Sequence, residues 1–294
     1  MAIPNRIKST YFLFSYLVLM TGCDVGENSS NDAVSDDGIK TPLILDVPAE
    51  TTGSWYQPPV LTTWQWQLEG EINIGYDVEL YDVDLADTSM AIIKQLQSSN
   101  HKVICYFSAG SYENWRDDAS RFKSSDYGRN LDGWEGERWL DIRSSNVHNI
   151  MTDRLDLAVS KGCNGVEPDN MDGYANISGF SLTADDQLAF NRFLANEAHQ
   201  RGLSIGLKND LDQVKQLVEY FDFAVNEQCF EYNECNLLMP FLSENKAVFN
   251  AEYADIYVKN TVTRKSLCVN AINLQLSSLI MPIRLDDSFR LTCL

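Results

Sequence analysis

Lys102-Val103-Ile104-Cys105-Tyr106-Phe107-Ser108 (KVICYFS) runs apolar, without alternation, between a lysine and a serine. A strand with one wet face alternates apolar and polar side chains; a strand buried on both faces does not. Such a strand belongs in a parallel sheet covered by helices. Moving outward, similar segments recur. On the N-terminal side are Thr62–Leu68 (TTWQWQL) and Asp77–Asp84 (DVELYDVD). On the C-terminal side are Arg138–Ile142 (RWLDI), Gly165–Asp169 (GVEPD), Leu203–Lys208 (LSIGLK), Phe223–Glu227 (FAVNE) and Ala247–Tyr253 (AVFNAEY). Helical patterns lie between them. Met151, Leu155, Ala158 and Val159 repeat on one helix face, as do Phe190, Phe193, Leu194 and Ala198. Thr183 with Asp186 forms an N-terminal capping pair, and Gly202 suits the C-terminal stop. Eight strands alternating with helices predict an α/β fold closed as a (β/α)8 TIM barrel, one domain over residues 41–294. The alternative is an open doubly wound sheet, but no GxGxxG follows any strand to supply its usual dinucleotide site.

The segment before residue 41 reads differently. Arg6 and Lys8 precede an apolar run, Tyr11–Met20, and then Leu19-Met20-Thr21-Gly22-Cys23. A basic start, a short apolar core and small residues describe a secretory signal, too short to span a bilayer. The ending resembles a bacterial lipobox. That resemblance implies a signal peptide over 1–22, a lipidated thiol at Cys23, and an exported lipoprotein held on a membrane at the periplasm or cell surface. Residues 23–40, rich in Ser, Asn, Asp and Gly, read as a flexible tether.

The chain holds 42 acidic and 23 basic residues, and losing Arg6 and Lys8 with the leader would move its formal charge from −19 to −21. So acidic a surface argues against nucleic acid as a partner and favours a cationic substrate. If Cys23 carries lipid, six cysteines remain. They permit disulfides in an exported chain, in 15 possible pairings. Short loops favour Cys229–Cys235 and Cys268–Cys293, while Cys105, inside a strand, reads as simply buried. Three His and no CxxC leave a metal site unsupported. GxSxG and P-loop motifs are absent, and no cofactor is implied.

In such a barrel, function collects at the C-terminal ends of the strands. Those ends carry Trp64 and Trp66, then Asp82 and Asp84, then Tyr106 and Ser108, then Asp141 and Arg143. The later strands end in Asp169, Asn170 and Asp172, in Lys208 and Asn209, in Glu227, and in Glu252 and Tyr253. Aromatic faces stack on sugars, and carboxylates and amides bind hydroxyls. Two carboxylates across a glycosidic bond suffice for its hydrolysis. Asp169 and Glu227 are the expected catalytic pair, and the other residues named here are expected to bind substrate. Lys208 is expected to pair with Asp169 or Asp210. Asp82 or Asp84 would suit a sugar amine, and Trp64 and Trp66 either a sugar platform or the core. Asp185, Asp186 and Asp212 read as helix caps, and Glu135 and Glu137 as solvated loop residues.

Five segments together resemble glycoside hydrolase family 114, the endo-α-1,4-polygalactosaminidase-like proteins. They are VICYFSAG (103–110), GWEGERWLDIR (133–143), GVEPDNMDGY (165–174), GLKNDLDQV (206–214) and FDFAVNEQC (221–229). The resemblance spans roughly residues 60–255. It implies a (β/α)8 barrel, endo-cleavage of α-1,4-linked galactosamine polymers such as a partly deacetylated biofilm exopolysaccharide, and catalysis by Asp169 and Glu227. Retaining chemistry would make Asp169 the nucleophile and Glu227 the acid/base. The competing readings are a hydrolase of another glycan linkage and a non-catalytic carbohydrate-binding surface lipoprotein. The stretch after about Tyr257 is expected to close the barrel's bottom or pack along its side.

Overall fold

The computed structural model describes residues 43–294. The expected signal peptide, the lipid site at Cys23 and the tether lie outside the described residues. Eight strands run parallel in one curled sheet: β1 (Trp64–Gln67), β2 (Leu80–Asp84), β3 (Lys102–Ser108), β7 (Gly165–Asp169), β8 (Ser204–Lys208), β9 (Phe223–Glu227), β10 (Ala247–Glu252) and β11 (Ser277–Ile280). They pair in that order, and β12 (Leu291–Thr292) adds antiparallel to β11. The Trp64 indole N–H donates to the Ser277 carbonyl at 2.9 Å, linking the first parallel strand to the last.

Two expectations fail together. Arg138–Ile142 is not a barrel strand, because β3 pairs directly with β7. Its residues belong to β6 (Glu137–Leu140), the middle of a small antiparallel sheet with β4 (Ser111–Glu113) and β5 (Tyr127–Asn130). So short a stretch of mixed apolar and charged residues carries no signal of which sheet it joins. The place in the ring is taken by β11, in the C-terminal stretch expected only to close or flank the barrel. β11 follows α7 (Thr261–Asn273) as any barrel strand follows a helix.

The other principal helices are α1 (Met90–Ser98), α2 (Ser145–Lys161) and α3 (Ala184–Gln200); α4 (Val214–Leu217), α5 (Met239–Ser243) and α6 (Asp255–Lys259) are short. Thr183 and Asp186 form the expected capping box on α3. Apolar side chains fill two regions. Trp64, Trp66, Leu80, Ile104, Phe223, Val225, Phe249 and Leu279 pack inside the ring, and a larger cluster lies between the sheet and the helices.

Three disulfides are present among the described residues: Cys105–Cys163, Cys229–Cys235 and Cys268–Cys293. The first corrects the reading of Cys105 as merely buried, since it ties the middle of β3 to the residue after the α2 stop. Three disulfides fit an extracellular or secreted protein. No described helix is long and apolar enough to cross a membrane.

Candidate active site

Asp169, Lys208 and Glu227 end β7, β8 and β9, three neighbours in the ring. After each, the chain turns at once into left-handed backbone. Asn170, Asn209 and Gln228 have φ of 60°, 49° and 64°, a region asparagine tolerates better than most residues. The turn after β7 is packed from above by the one after β3. Gly110 donates its N–H to the Asp169 carbonyl at 3.0 Å, and a Cβ on Gly110 would lie 1.8 Å from the Asn170 carbonyl oxygen. Only glycine permits that approach.

Lys208 Nζ lies 3.1 Å from Asp169 Oδ1, 3.4 Å from Glu227 Oε2 and 3.5 Å from Glu167 Oε1. Its side chain is 3% exposed, while those of Asp169 and Glu227 are 20% and 27% exposed. The cation is therefore buried beside two carboxylates that reach solvent. Burial alone would depress the lysine pKa, but Asp169, Glu227 and Glu167 outweigh it and hold the ammonium well above its ordinary value. It also sits 4.9 Å from the centroid of the Trp66 ring. The expected partner Asp169 is confirmed; Asp210 instead accepts from Asn191 at 3.0 Å.

Each carboxylate has further donors. Asp169 Oδ2 accepts the Tyr106 hydroxyl at 3.0 Å, and Oδ1 accepts the Asn170 N–H at 2.7 Å. Glu227 Oε1 accepts the Tyr253 hydroxyl at 2.5 Å, and Oε2 accepts Asn209 Nδ2 at 3.1 Å. Burial, and then the adjoining carboxylates, push both phenols well above their usual pKa, so both remain donors. Asn209 Oδ1 accepts the Glu227 N–H at 3.0 Å and Asn226 Nδ2 at 3.3 Å. Asn250 and Ser278 continue these bonds across β10 to β11. A ladder of side chains on four strands thus orients Glu227. On the other side, Asn170 Nδ2 donates to Ser108 Oγ at 2.9 Å, Ser108 and Ser111 hydroxyls meet at 2.6 Å, and Ser111 donates to Glu137 Oε2 at 2.7 Å.

Glu167 is the residue that sequence reasoning passed over. It precedes Asp169 by two in β7, so strand alternation puts both on one face. It is fully buried, as is Asp82 on β2, and the two carboxyls act directly on each other. Two carboxyls this close and this dry disfavour ionisation of both at once. Burial pushes Asp82 up to about 7, and burial and then Asp82 push Glu167 well above its usual range.

Asp82, Tyr106, Ser108, Asn170, Lys208, Asn209 and Tyr253 therefore gather with Asp169 and Glu227, although Asp82 lies beneath the site, facing Glu167. The remaining expected binding residues hold other partners or are buried. Trp64 and Trp66 are 1% and 0% exposed and are ring core, not a sugar platform. Asp84 is gripped by Arg116 at 2.6 Å and caps the Ala86 and Asp87 N–H groups. Asp141, just after β6, holds Arg143 at 2.8 Å. Asp172 accepts from Asn176 at 3.2 Å. Glu252 is buried and accepts the Phe230 N–H at 2.9 Å. Glu137 is 8% exposed instead of solvated, and burial pushes it up to about 7.

Comparison with known proteins matches this geometry to a family. The model of glycoside-hydrolase family GH114 matches residues 46–294. No curated protein matches the chain. Among solved structures, Aspergillus fumigatus Ega3 in complex with galactosamine is 44% identical with a TM-score of 0.78, covering 82% of this chain and 99% of that one. The glycoside hydrolase domain of PelA from Pseudomonas aeruginosa is 11% identical with a TM-score of 0.62, covering 77% and 96%. The trehalulose synthase MutB, at 9% identity and a TM-score of 0.53, covers 78% and 65%; these last two likenesses concern the fold. With its parallel ring, its paired carboxylates at the strand ends and a match that runs to its last residue, the chain belongs to glycoside-hydrolase family GH114.

Proposed function

We propose that the protein cleaves α-1,4-linked galactosamine polymer internally, with Asp169 as nucleophile and Glu227 as acid/base. The observation that carries the chemistry is the single ammonium of Lys208 between the two carboxylates. Because one nitrogen reaches Asp169 Oδ1 at 3.1 Å and Glu227 Oε2 at 3.4 Å, those oxygens lie no further apart than the two distances combined. That limit favours the ~5–5.5 Å spacing of retaining enzymes over the ~6.5–9.5 Å of inverting ones. In the first step an Asp169 oxygen bonds to the anomeric carbon as its bond to the glycosidic oxygen breaks, and that oxygen takes the Glu227 proton. In the second, Glu227 takes a proton from water, the water oxygen bonds to the same carbon, and Asp169 leaves. Tyr106 and Lys208 steady Asp169; Tyr253 and Asn209 steady Glu227.

The substrate reading is supported by the family, by the galactosamine held by its 44%-identical relative, and by an acidic surface suited to free amines. The test is product release from α-1,4-polygalactosamine by the wild type, Asp169→Asn and Glu227→Gln. Oligosaccharides from the wild type are expected, with turnover reduced by about 10²–10⁴-fold in the folded Glu227→Gln variant and at least as much in Asp169→Asn. A wild type that releases none would sink the proposal, and an active Asp169→Asn would sink its site. Export as a lipoprotein, with a leader over 1–22, lipid on Cys23 and a tether over 23–40, rests on the sequence pattern. Cys23→Ser should move the protein from the membrane to the soluble fraction; an unchanged distribution would refute the anchor.

A further inference from the structure

The small antiparallel sheet carries two exposed indoles that the ring does not use. β4 and β6 pair at Glu113 and Glu137, and just beyond that pair the Asn114 N–H donates to the Gly136 carbonyl at 3.2 Å. Trp115 and Trp134 flank this point. The Trp115 ring is close enough that a Cβ on Gly136 would lie 2.9 Å from its Cζ3. Trp115 is 51% exposed and Trp134 48%, whereas Trp64, Trp66 and Trp139 are buried. A lone exposed apolar residue needs no explanation, but two indoles at one sheet tip form a surface that favours a ligand.

The chemistry around them names the ligand. The segments Asn114–Asp118 and Leu131–Glu137 also carry Asp117, Asp132 and Glu135, all exposed. Their single cation is Arg116, which is engaged by Asp84 at 2.6 Å, Glu113 at 2.8 Å and Asp87 at 3.4 Å. The inner end of the same sheet is tied to the site, through Ser111, Ser108 and Asn170, beside Asp169. The tip is therefore aromatic and anionic, on a sheet whose inner end meets the site.

We infer that the tip bearing Trp115 and Trp134 is a distal subsite for the cationic polymer, holding amino-sugar units several residues from the bond that is cut. The inference rests on the substrate proposed above. Indole faces take the apolar faces of the sugar rings and the ammonium groups, and the neighbouring carboxylates balance the remaining charge. A chain long enough to reach both tip and cleft gains from the tip; a short fragment in the cleft does not.

The test compares the wild type with a Trp115→Ala/Trp134→Ala double variant on α-1,4-polygalactosamine and on the galactosamine trisaccharide. The ratio of polymer to trisaccharide kcat/KM is expected to fall about 5- to 30-fold, mostly through KM, as loss of two exposed cation–aromatic contacts implies. Trp115→Phe/Trp134→Phe should recover most of it. Polymer should also quench the tryptophan fluorescence of the wild type and not of the double alanine variant. An unchanged ratio in a folded variant, beside an active wild type, overturns the inference. If the wild type cuts neither substrate, the proposed function has failed, and fluorescence decides the tip alone. Absence of quenching in the wild type overturns it; quenching that the alanine variant loses upholds it.

Discussion

Lys208 is a single ammonium serving three carboxylates in a place where water barely reaches it. Removing it leaves Asp169 and Glu227 facing each other without a shared counter-ion. Breaking a buried ion pair from one side costs about 3–5 kcal/mol, because the remaining charge is stranded. Lys208→Met should therefore lower stability by that order, read as a drop in the denaturant midpoint at pH 7.5. An unchanged midpoint would mean that the ammonium contributes nothing to holding the two carboxylates in place. Much of this site was legible in the sequence. Asp169, Lys208 and Glu227 each close a readable strand, and a strand end is where barrel chemistry collects. Glu167 was not legible in the same way. In a chain with 42 acidic residues, nothing in the letters marks the one whose carboxyl meets Asp82 inside the ring. Asp84 and Glu252 show the converse: each sits at a strand end, and each is occupied by a neighbour that only the folded chain supplies.

At the scale of elements, the ring depends on its shortest members. β1 and β11 have four residues each, and the Trp64 indole bonds one to the other. Replacing Trp64 with Phe removes that donor and leaves a buried carbonyl without it, a change expected to cost about 1–3 kcal/mol. The urea midpoint should drop accordingly with the slope unchanged; an unaltered midpoint would show that the contact contributes nothing to closure. The same short strands explain where sequence reading went astray. β3 announces itself by a continuous apolar run. β11 reads Ser-Ser-Leu-Ile, and nothing in four residues with two hydroxyls separates a barrel strand from a loop. β6 reads Glu-Arg-Trp-Leu and lies in the antiparallel sheet, because two charged and two apolar residues in a row do not say which sheet they join. Strands β7 and β9 carried enough flanking helix and turn signal to be read to their last residue.

Across the molecule, several buried acids are pushed toward the neutral form. Burial pushes Asp82, Glu137 and Glu252 up to about 7, from ordinary values of 3.8, 4.5 and 4.5. Their folded pKa exceeds the unfolded one, so their contribution to stability is complete below about pH 4 and is lost as pH rises through 7. The melting temperature should fall between pH 5 and pH 8, by roughly 5 °C or more, and self-repulsion of an acidic chain acts in the same direction. Glu252→Gln keeps an acceptor for the Phe230 N–H and removes one ionisation, so it should flatten the slope. A melting temperature that is level or rising over that range would contradict this account.

The Cys105–Cys163 bond encloses the whole excursion that carries the small antiparallel sheet and its exposed tip. A protease arriving at the glycine-bearing stretch around Gly133 would find accessible backbone there. Both pieces it made would still be covalently one molecule, with the catalytic ends of β7 and β9 on one piece and β1 to β3 on the other. Nicked material would migrate as a single species without reductant and as two with it. A cut in this exposed loop would thereby leave the ring still assembled.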